Sequence, residues 1–264
     1  MTGLRQAVEA LAREAGAIVR EAAGDKGVRE KSGRQDLVTR YDGQVQRFLE
    51  ERLLALVPEA GFLGEEDLGE EAPSGRELTF IVDPIDGTTN FVKGLPHCGI
   101  SIGLARRGEM VLGVVYDPYL DELFSAERGG GAACNGRPLR VSDAPPERAV
   151  AVLGTSPYYR QYAAFTFALG QRLFEQGLDV RRLGAASLDL CYVADGRMDC
   201  YFEAYLSPWD YAAGSLILQE AGGLATTLSG GPLRFDRGCS LAAANGPCHG
   251  PLVALAAACG WREP

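Results

Sequence analysis

The stretch 80-FIVDPIDGTTNF-91 decides how this chain is read. Phe80, Ile81 and Val82 run straight into Asp83 and Asp86, followed by Gly87, two threonines and an asparagine. An apolar run of this kind reads as the end of a buried strand. In an extended segment, residues i and i+3 point to different faces. Pro84, however, fixes one φ, and Gly87 permits a sharp turn, so both carboxylates can converge where the strand ends. Two close carboxylates repel and raise each other's pKa unless a cation sits between them. Magnesium suits that role, being hard, oxygen-seeking and usually held by few carboxylates together with water and substrate phosphate. The same D-P-x-D-G pattern also serves as an Asx-turn pair capping a loop, and the stretch alone leaves both possibilities open.

Around this stretch the hydrophobic pattern alternates between helix and strand. Leu4, Val8, Leu11, Ala15, Ile18 and Val19 fall at helical spacing, with Gly24 as a stop. A polar segment, GDKGVREKSGRQD, reads as a mobile loop. A second helix follows in TRYDGQVQRFLEERLLALVP, with Thr39 as N-cap and Asp42 three residues on. GFLGEEDLGEEAPSGRE reads as an acidic loop, and strands are expected over 78–83, 99–106, 109–117 and 121–126. SDAPPER, at 142–148, is the best internal boundary, since paired prolines among charges continue neither strand nor helix. Beyond it, extended segments are expected at 149–154 and 198–203, with short strands near 224–228 and 240–244. Helices are expected at 161–176, 187–195, 210–221 and near 250–258. The pattern is a mixed α/β chain in two lobes, 1–145 and 146–264, forming one catalytic domain.

Composition narrows the function. The 264 residues are 46% hydrophobic and 23% charged, enough to bury a large core, with no low-complexity tract. A formal charge of −9, from 35 acids and 26 bases, argues against nucleic-acid binding, which needs a concentrated basic face. The seven cysteines are dispersed without a C-x-x-C pair, and there are two histidines, so a zinc cluster is not expected. Reduced thiols and an N-terminus that is neither a signal peptide nor a membrane span suit a cytoplasmic protein.

Other acids join the pair in the opening stretch. Glu65 lies upstream in 64-GEE-66, and Asp210 opens a helix expected to be amphipathic, in 207-SPWDYAAG-214. Taken singly, Asp210 also reads as a helix N-cap, and Glu66 and Asp67 as solvated loop charge. Together, 83-DPIDGTTNF-91 and 209-WDYAAG-214, with GEE and TRYD upstream and RRLGAASLDLCYVADGRMDCYFE between, resemble the inositol monophosphatase family of lithium-sensitive sugar phosphatases. The resemblance spans roughly residues 4 to 258. It implies the α+β sugar-phosphatase fold, a layered αβαβα sandwich.

The resemblance also implies a site binding two to three Mg2+ ions. Glu65, Asp83 and the Ile85 carbonyl would hold the first, and Asp83, Asp86 and Asp210 the second. A third would sit near Glu65, with Lys31 close by; a solvated lysine is the alternative there. Metal-activated water attack on a phosphate monoester needs no histidine base, which fits a chain this poor in histidine. Thr88, paired with Asp42, would orient the attacking water, with Glu65 as a further catalytic acid. The backbone of Gly87 and Thr88 would cradle the phosphate. Asp86, Gly184, Ala186, Glu203 and Asp210 would contact the alcohol half, Glu203 accepting a ring hydroxyl; a strand-end surface charge is its alternative. Thr155 stands where a relative may carry serine, and His97 is read as structural or at the mouth of the site.

The expected activity is hydrolysis of inositol monophosphate or a related polyol phosphate by a homodimer, with no nucleic-acid or membrane partner. Fructose 1,6-bisphosphate, a 3′-phosphonucleotide, NADP and histidinol phosphate are alternative substrates. A non-catalytic metal- or phosphate-binding regulator is the alternative of a different class.

Overall fold

The computed structural model describes residues 2–22, 26–30, 33, 37–66 and 76–263. The elements in chain order begin with α1 (Thr2–Arg20), β1 (Arg29–Glu30), β2 (Leu37–Val38), α2 (Arg40–Leu56), β3 (Gly61–Gly64), β4 (Leu78–Asp86) and α3 (Thr88–Lys93). They continue through β5 (Gly99–Arg106), β6 (Glu109–Asp117), β7 (Glu122–Glu127), β8 (Ala132–Cys134), β9 (Arg137–Pro138) and β10 (Val150–Leu153). The remainder is α4 (Ala163–Gln176), β11 (Asp179–Arg181), α5 (Ala186–Ala194), β12 (Cys200–Leu206), α6 (Pro208–Glu220), β13 (Leu224–Thr226), β14 (Cys239–Ala244) and α7 (Gly246–Ala258).

Strands β3 to β9 form one seven-stranded sheet in sequence order, antiparallel except for the β3–β4 pair. A second, five-stranded sheet runs β11-β10-β12-β14-β13, with β10 parallel to both of its neighbours. Helices α1 and α2 cover one face of the first sheet, α5 and α6 lie between the sheets, and α4 and α7 cover the outer face of the second. The layers therefore run αβαβα, as expected.

Period-two alternation along the strands divides the core between these layers. In β5, Ile100, Ile102 and Leu104 pack with Val8, Ala12, Val45 and Leu49 of α1 and α2. Their neighbour Ala105 turns to the opposite face, in the cluster that includes Ala212 and Leu216 of α6. A third cluster joins Phe202 and Ala242 to Leu169 and Leu252 of the outer helices.

The middle layer corrects one expectation. The helix at 210–221 is not amphipathic: α6 buries Tyr211 through Leu218 without a break, because sheets press on it from both sides. Small residues let the backbones approach. A Cβ on Gly113 of β6 would stand 2.6 Å from the Ala213 carbonyl oxygen of α6.

The strands expected at 99–106 and 109–117 form over those residues, and the Thr39–Asp42 capping box is present. The segment read as an acidic loop differs, since its first four residues form β3, an edge strand with Gly61↔Thr79 through Gly64↔Val82 in register. Two apolar residues between glycines carry no alternation, and the parallel partner lies too far along the chain for a turn to announce it. The loop read as mobile contains β1, which pairs antiparallel with β2 just beyond the loop's end. Lys31, Gly24 and Asp67 lie outside the described residues. The seven cysteines are free thiols. Among the described residues no helix is long and apolar enough to cross a membrane.

The tight β6–α6 contact predicts a packing penalty. Gly113→Ala is expected to destabilise the fold by about 1–3 kcal/mol, because the added methyl meets a backbone carbonyl that cannot rotate away. Gly3→Ala, whose Cβ would meet nothing within 4 Å, is the control and should be neutral within about 0.5 kcal/mol. Urea unfolding of the two variants measures the difference.

Candidate active site

The convergence of Asp83 and Asp86 comes from the register of β4. Asp83 pairs with Ser101 and Asp86 with Gly99, so three steps on β4 oppose two on β5. The extra residue is a β-bulge, which re-aims the side chains that follow it. Pro84 sits in the bulge, where a missing N–H costs no ladder bond. The strand thus continues to Asp86 rather than ending at 83, and the sharp turn falls at Gly87 as expected, at φ 89. The Asx-turn alternative is realised alongside, since the Ile85 amide donates to Asp83 Oδ1 at 3.0 Å.

Carboxylate oxygens of Asp83, Asp86 and Asp210 all lie within 4.8 Å of one another. Each is held by a different device. Asp86 accepts from the amides of Ala186 (3.1 Å) and Ser187 (2.7 Å) at the start of α5, and from Ser187 Oγ (2.5 Å). Asp210 is not the N-cap of α6. Ser207 is, and Asp210 is the third residue of its capping box, accepting from the Ser207 amide at 2.7 Å. Half-buried Glu65, tied by its own amide to the Val82 carbonyl, brings its side chain within hydrogen-bonding reach of Asp83.

Burial pushes the Asp83 carboxyl well above the ordinary range, and repulsion from Glu65, Asp86 and Asp210 adds to it. Burial raises Asp210 likewise, with Asp86 and Glu65 reinforcing it. For Asp86, burial outweighs the opposing Ser187 and Ala186 hydrogen bonds. Buried oxygens that repel one another, with no cationic side chain of the described residues bonded among them, fit a hard divalent cation.

Thr88 is buried in the first turn of α3, its Oγ1 lying 3.0 Å from the Ile85 carbonyl and 3.3 Å from Asp42 Oδ1. Asp42 also accepts from the Thr39 amide at 2.7 Å, so it caps α2 and faces Thr88 with the same carboxylate.

Glu65, Asp83, Asp86, Thr88 and Asp210 line a cavity of about 460 Å³ that also reaches Gly87, Gly184, Ala186 and Glu203, and Asp42 touches it only through Thr88. Glu203 is no surface charge at a strand end: it lies inside β12 and is 6% exposed. Thr155 is half-buried, with Oγ1 accepting from Arg182 at 3.3 Å. His97 does not line the cavity. Its Nε2 is buried 3.9 Å from Asp189 Oδ1, and neither atom has a hydrogen-bond partner among the described residues.

Sequence reasoning did not single out Ser187, Ser156, Tyr201 or Gln46. Ser187 carried a readable signal, a hydroxyl in the first turn of a helix, where donors face outward. Gln46 holds the Glu66 amide through Oε1 at 2.9 Å, a contact visible only once β3 is in place.

A family model described as the inositol monophosphatase family matches residues 2–259. The chain belongs to that family. It is 43% identical over 208 residues to an inositol-1-monophosphatase of Rhizobium meliloti, covering 78% of this chain and 77% of that protein. It is 40% identical over 202 residues to the Nus factor SuhB of Escherichia coli K12, covering 76% and 75%. The structure of a Thermotoga maritima IMPase superposes with a TM-score of 0.85 at 33% identity, covering 96% of both chains. The layered architecture is accordingly the α+β sugar-phosphatase fold.

The repulsion has a measurable consequence. Asp83 and Asp210 have folded pKa values above their unfolded ones. In chelator-treated protein, the stability they contribute is therefore present at low pH and lost as pH rises through those elevated values. Asp83→Asn is expected to raise the melting temperature of the chelated protein at neutral pH and to flatten its decline with pH. The same substitution should remove most of the melting-temperature rise that Mg2+ gives the unsubstituted protein. Thermal scans across pH, with EDTA and with Mg2+, measure both.

Proposed function

We propose that this chain is a magnesium-dependent phosphomonoesterase acting on inositol monophosphate or a related polyol phosphate. The observation that carries this reading is the meeting of Asp83, Asp86 and Asp210 on one side of a cavity whose lining also includes a buried glutamate, Glu203. Asp83, Asp86 and Asp210, with Glu65 and the Ile85 carbonyl, are the groups that would hold two to three Mg2+ ions. When bound, these would neutralise the phosphate, activate water and stabilise the departing alkoxide.

The chain's own residues do the rest. Thr88 Oγ1, directed between Asp42 Oδ1 and the Ile85 carbonyl, keeps an oxygen lone pair free to accept a proton from a water on the cavity side. As the water oxygen bonds to phosphorus and the ester P–O bond breaks, that proton can pass to Thr88 while the hydroxyl proton passes to Asp42, and the departing alkoxide, keeping the P–O electron pair, takes a proton from cavity water to leave as the alcohol. Gly87 and Thr88 place backbone against the phosphate, while Gly184, Ala186 and Glu203 face the alcohol. Asp42 is 0% exposed, so the relay works away from bulk solvent.

The relative named Nus factor SuhB supports a second reading, a regulatory role without catalysis. The presence of the three aspartates and Thr88 at a single cavity, with Asp42 in reach of the Thr88 hydroxyl, supports catalysis. Phosphate release with Mg2+ decides between them, using inositol 1-phosphate, 2-glycerophosphate, fructose 1,6-bisphosphate, a 3′-phosphonucleotide, NADP and histidinol phosphate. The polyol monophosphates are expected to show the highest kcat/KM. Thr88→Ala should lower kcat by about 10²–10⁴-fold while leaving the Mg2+-induced thermal shift in place. Release from none of the six would overturn the enzymatic reading; a strong preference for a bisphosphate would overturn the polyol assignment.

A further inference from the structure

The second sheet builds an arrangement around Glu203 that goes beyond supplying a carboxylate. Oε1 accepts from the Ser156 amide at 2.6 Å, and Oε2 from the Tyr201 hydroxyl at 2.6 Å. Tyr201 and Glu203 are two residues apart on β12, so both project from the same face. Tyr201 is fully buried, and its hydroxyl is spent on this one contact.

Gly154 supplies the space. A Cβ there would stand 1.8 Å from Glu203 Oε2 and 2.1 Å from its carboxyl carbon. No side chain at 154 is compatible with the observed carboxylate. Ser156 supplies the angle. Its φ of 39 is in the left-handed region that non-glycine residues rarely adopt. The bend is pinned from both sides: Ser156 Oγ donates to the Tyr205 carbonyl and accepts from the Tyr205 amide, each at 3.0 Å. A strained residue at a cavity wall, fixed by its surroundings, marks a position where geometry is being enforced.

We propose that Tyr201, Gly154 and the bent Ser156 form a clamp that fixes Glu203 as a hydroxyl acceptor, and that this clamp sets the preference for hydroxyl-bearing alcohols over plain phosphate monoesters. The proposal rests on the phosphomonoesterase reading. Each oxygen of Glu203 carries one protein donor and retains a lone pair for the substrate. Tyr201 does not line the cavity and acts through Glu203, as a positioning residue. The three aspartates are held by other elements, so loosening the clamp leaves the phosphate side intact.

The test compares inositol 1-phosphate with 4-nitrophenyl phosphate, whose leaving group bears no further hydroxyl. Tyr201→Phe is expected to raise KM for inositol 1-phosphate about tenfold, with kcat and KM for the aryl ester within about twofold of the unsubstituted enzyme. Gly154→Ala, which displaces the carboxylate itself, should discriminate more strongly in the same direction. Glu203→Gln combined with Tyr201→Phe should be no worse than Glu203→Gln alone, because both act on one contact. Equal losses on the two substrates, unchanged discrimination, or additive effects in the double variant would each overturn the clamp. Failure of the underlying reading is distinguishable, because the unsubstituted protein would then hydrolyse neither ester.

Discussion

Three aspartate side chains gathered within the reach of one ion repel each other, and much of this structure consists of what holds them there. Left to an ordinary strand, Asp83 and Asp86 would face opposite sides of the sheet. The bulge at Pro84 removes that separation at the cost of one ladder step. Each carboxylate then spends part of its hydrogen-bonding capacity on backbone amides: Asp83 on Ile85, Asp86 on Ala186 and Ser187, Asp210 on Ser207. Amides orient the oxygens without cancelling their charge, as a lysine or arginine bonded among them would. The negative field is therefore preserved for a cation.

This requirement explains the middle layer. Asp83 and Asp86 belong to the first sheet, whereas the donors to Asp86 belong to α5 and Asp210 to α6. The helices must sit against the sheet closely enough for amides of one to reach carboxylates of the other. Gly113 meets the Ala213 carbonyl across that contact, and a Cβ on Gly214 of α6 would lie 2.8 Å from Leu190 of α5. Small residues at these points set the separation between layers, and that separation sets the geometry of the acids. Packing and site are thus one problem, and a methyl group at the β6–α6 contact bears on both.

Local features were legible in the sequence where the interaction that creates them is local. Thr39 and Asp42 are three residues apart and cap their own helix. The strands at 99–106 and 109–117 are consecutive partners joined by a short turn, so alternation and turn residues define them. The motif around Asp83 pointed to the acidic cluster, although the bulge that builds it was not readable, because a bulge is defined only by the strand opposite. β3 was missed because its partner is parallel and distant. The burial of Glu203 was not readable, because the Ser156 amide that meets it lies 47 residues away, in the turn after β10. Asp210 read as an N-cap because serine and aspartate compete for that role in SPWD, and only the backbone angles of Ser207 decide between them.

The two sheets supply opposite sides of the cavity by different physical means. On the first, charge does the work: burial and repulsion make the concentrated acids costly to ionise unless a cation joins them. On the second, shape does it: Glu203 is fixed by a missing Cβ at Gly154, a bent backbone at Ser156 and one phenol at Tyr201. A field acts on any ion that enters it, whereas a carboxylate held by two hydrogen bonds of 2.6 Å meets only a donor placed to reach it. The clamp and the acids share no residue, so under the proposed function selectivity for the alcohol can change through β12 and the turn after β10 while the acids on β4 and in the first turn of α6 stay the same.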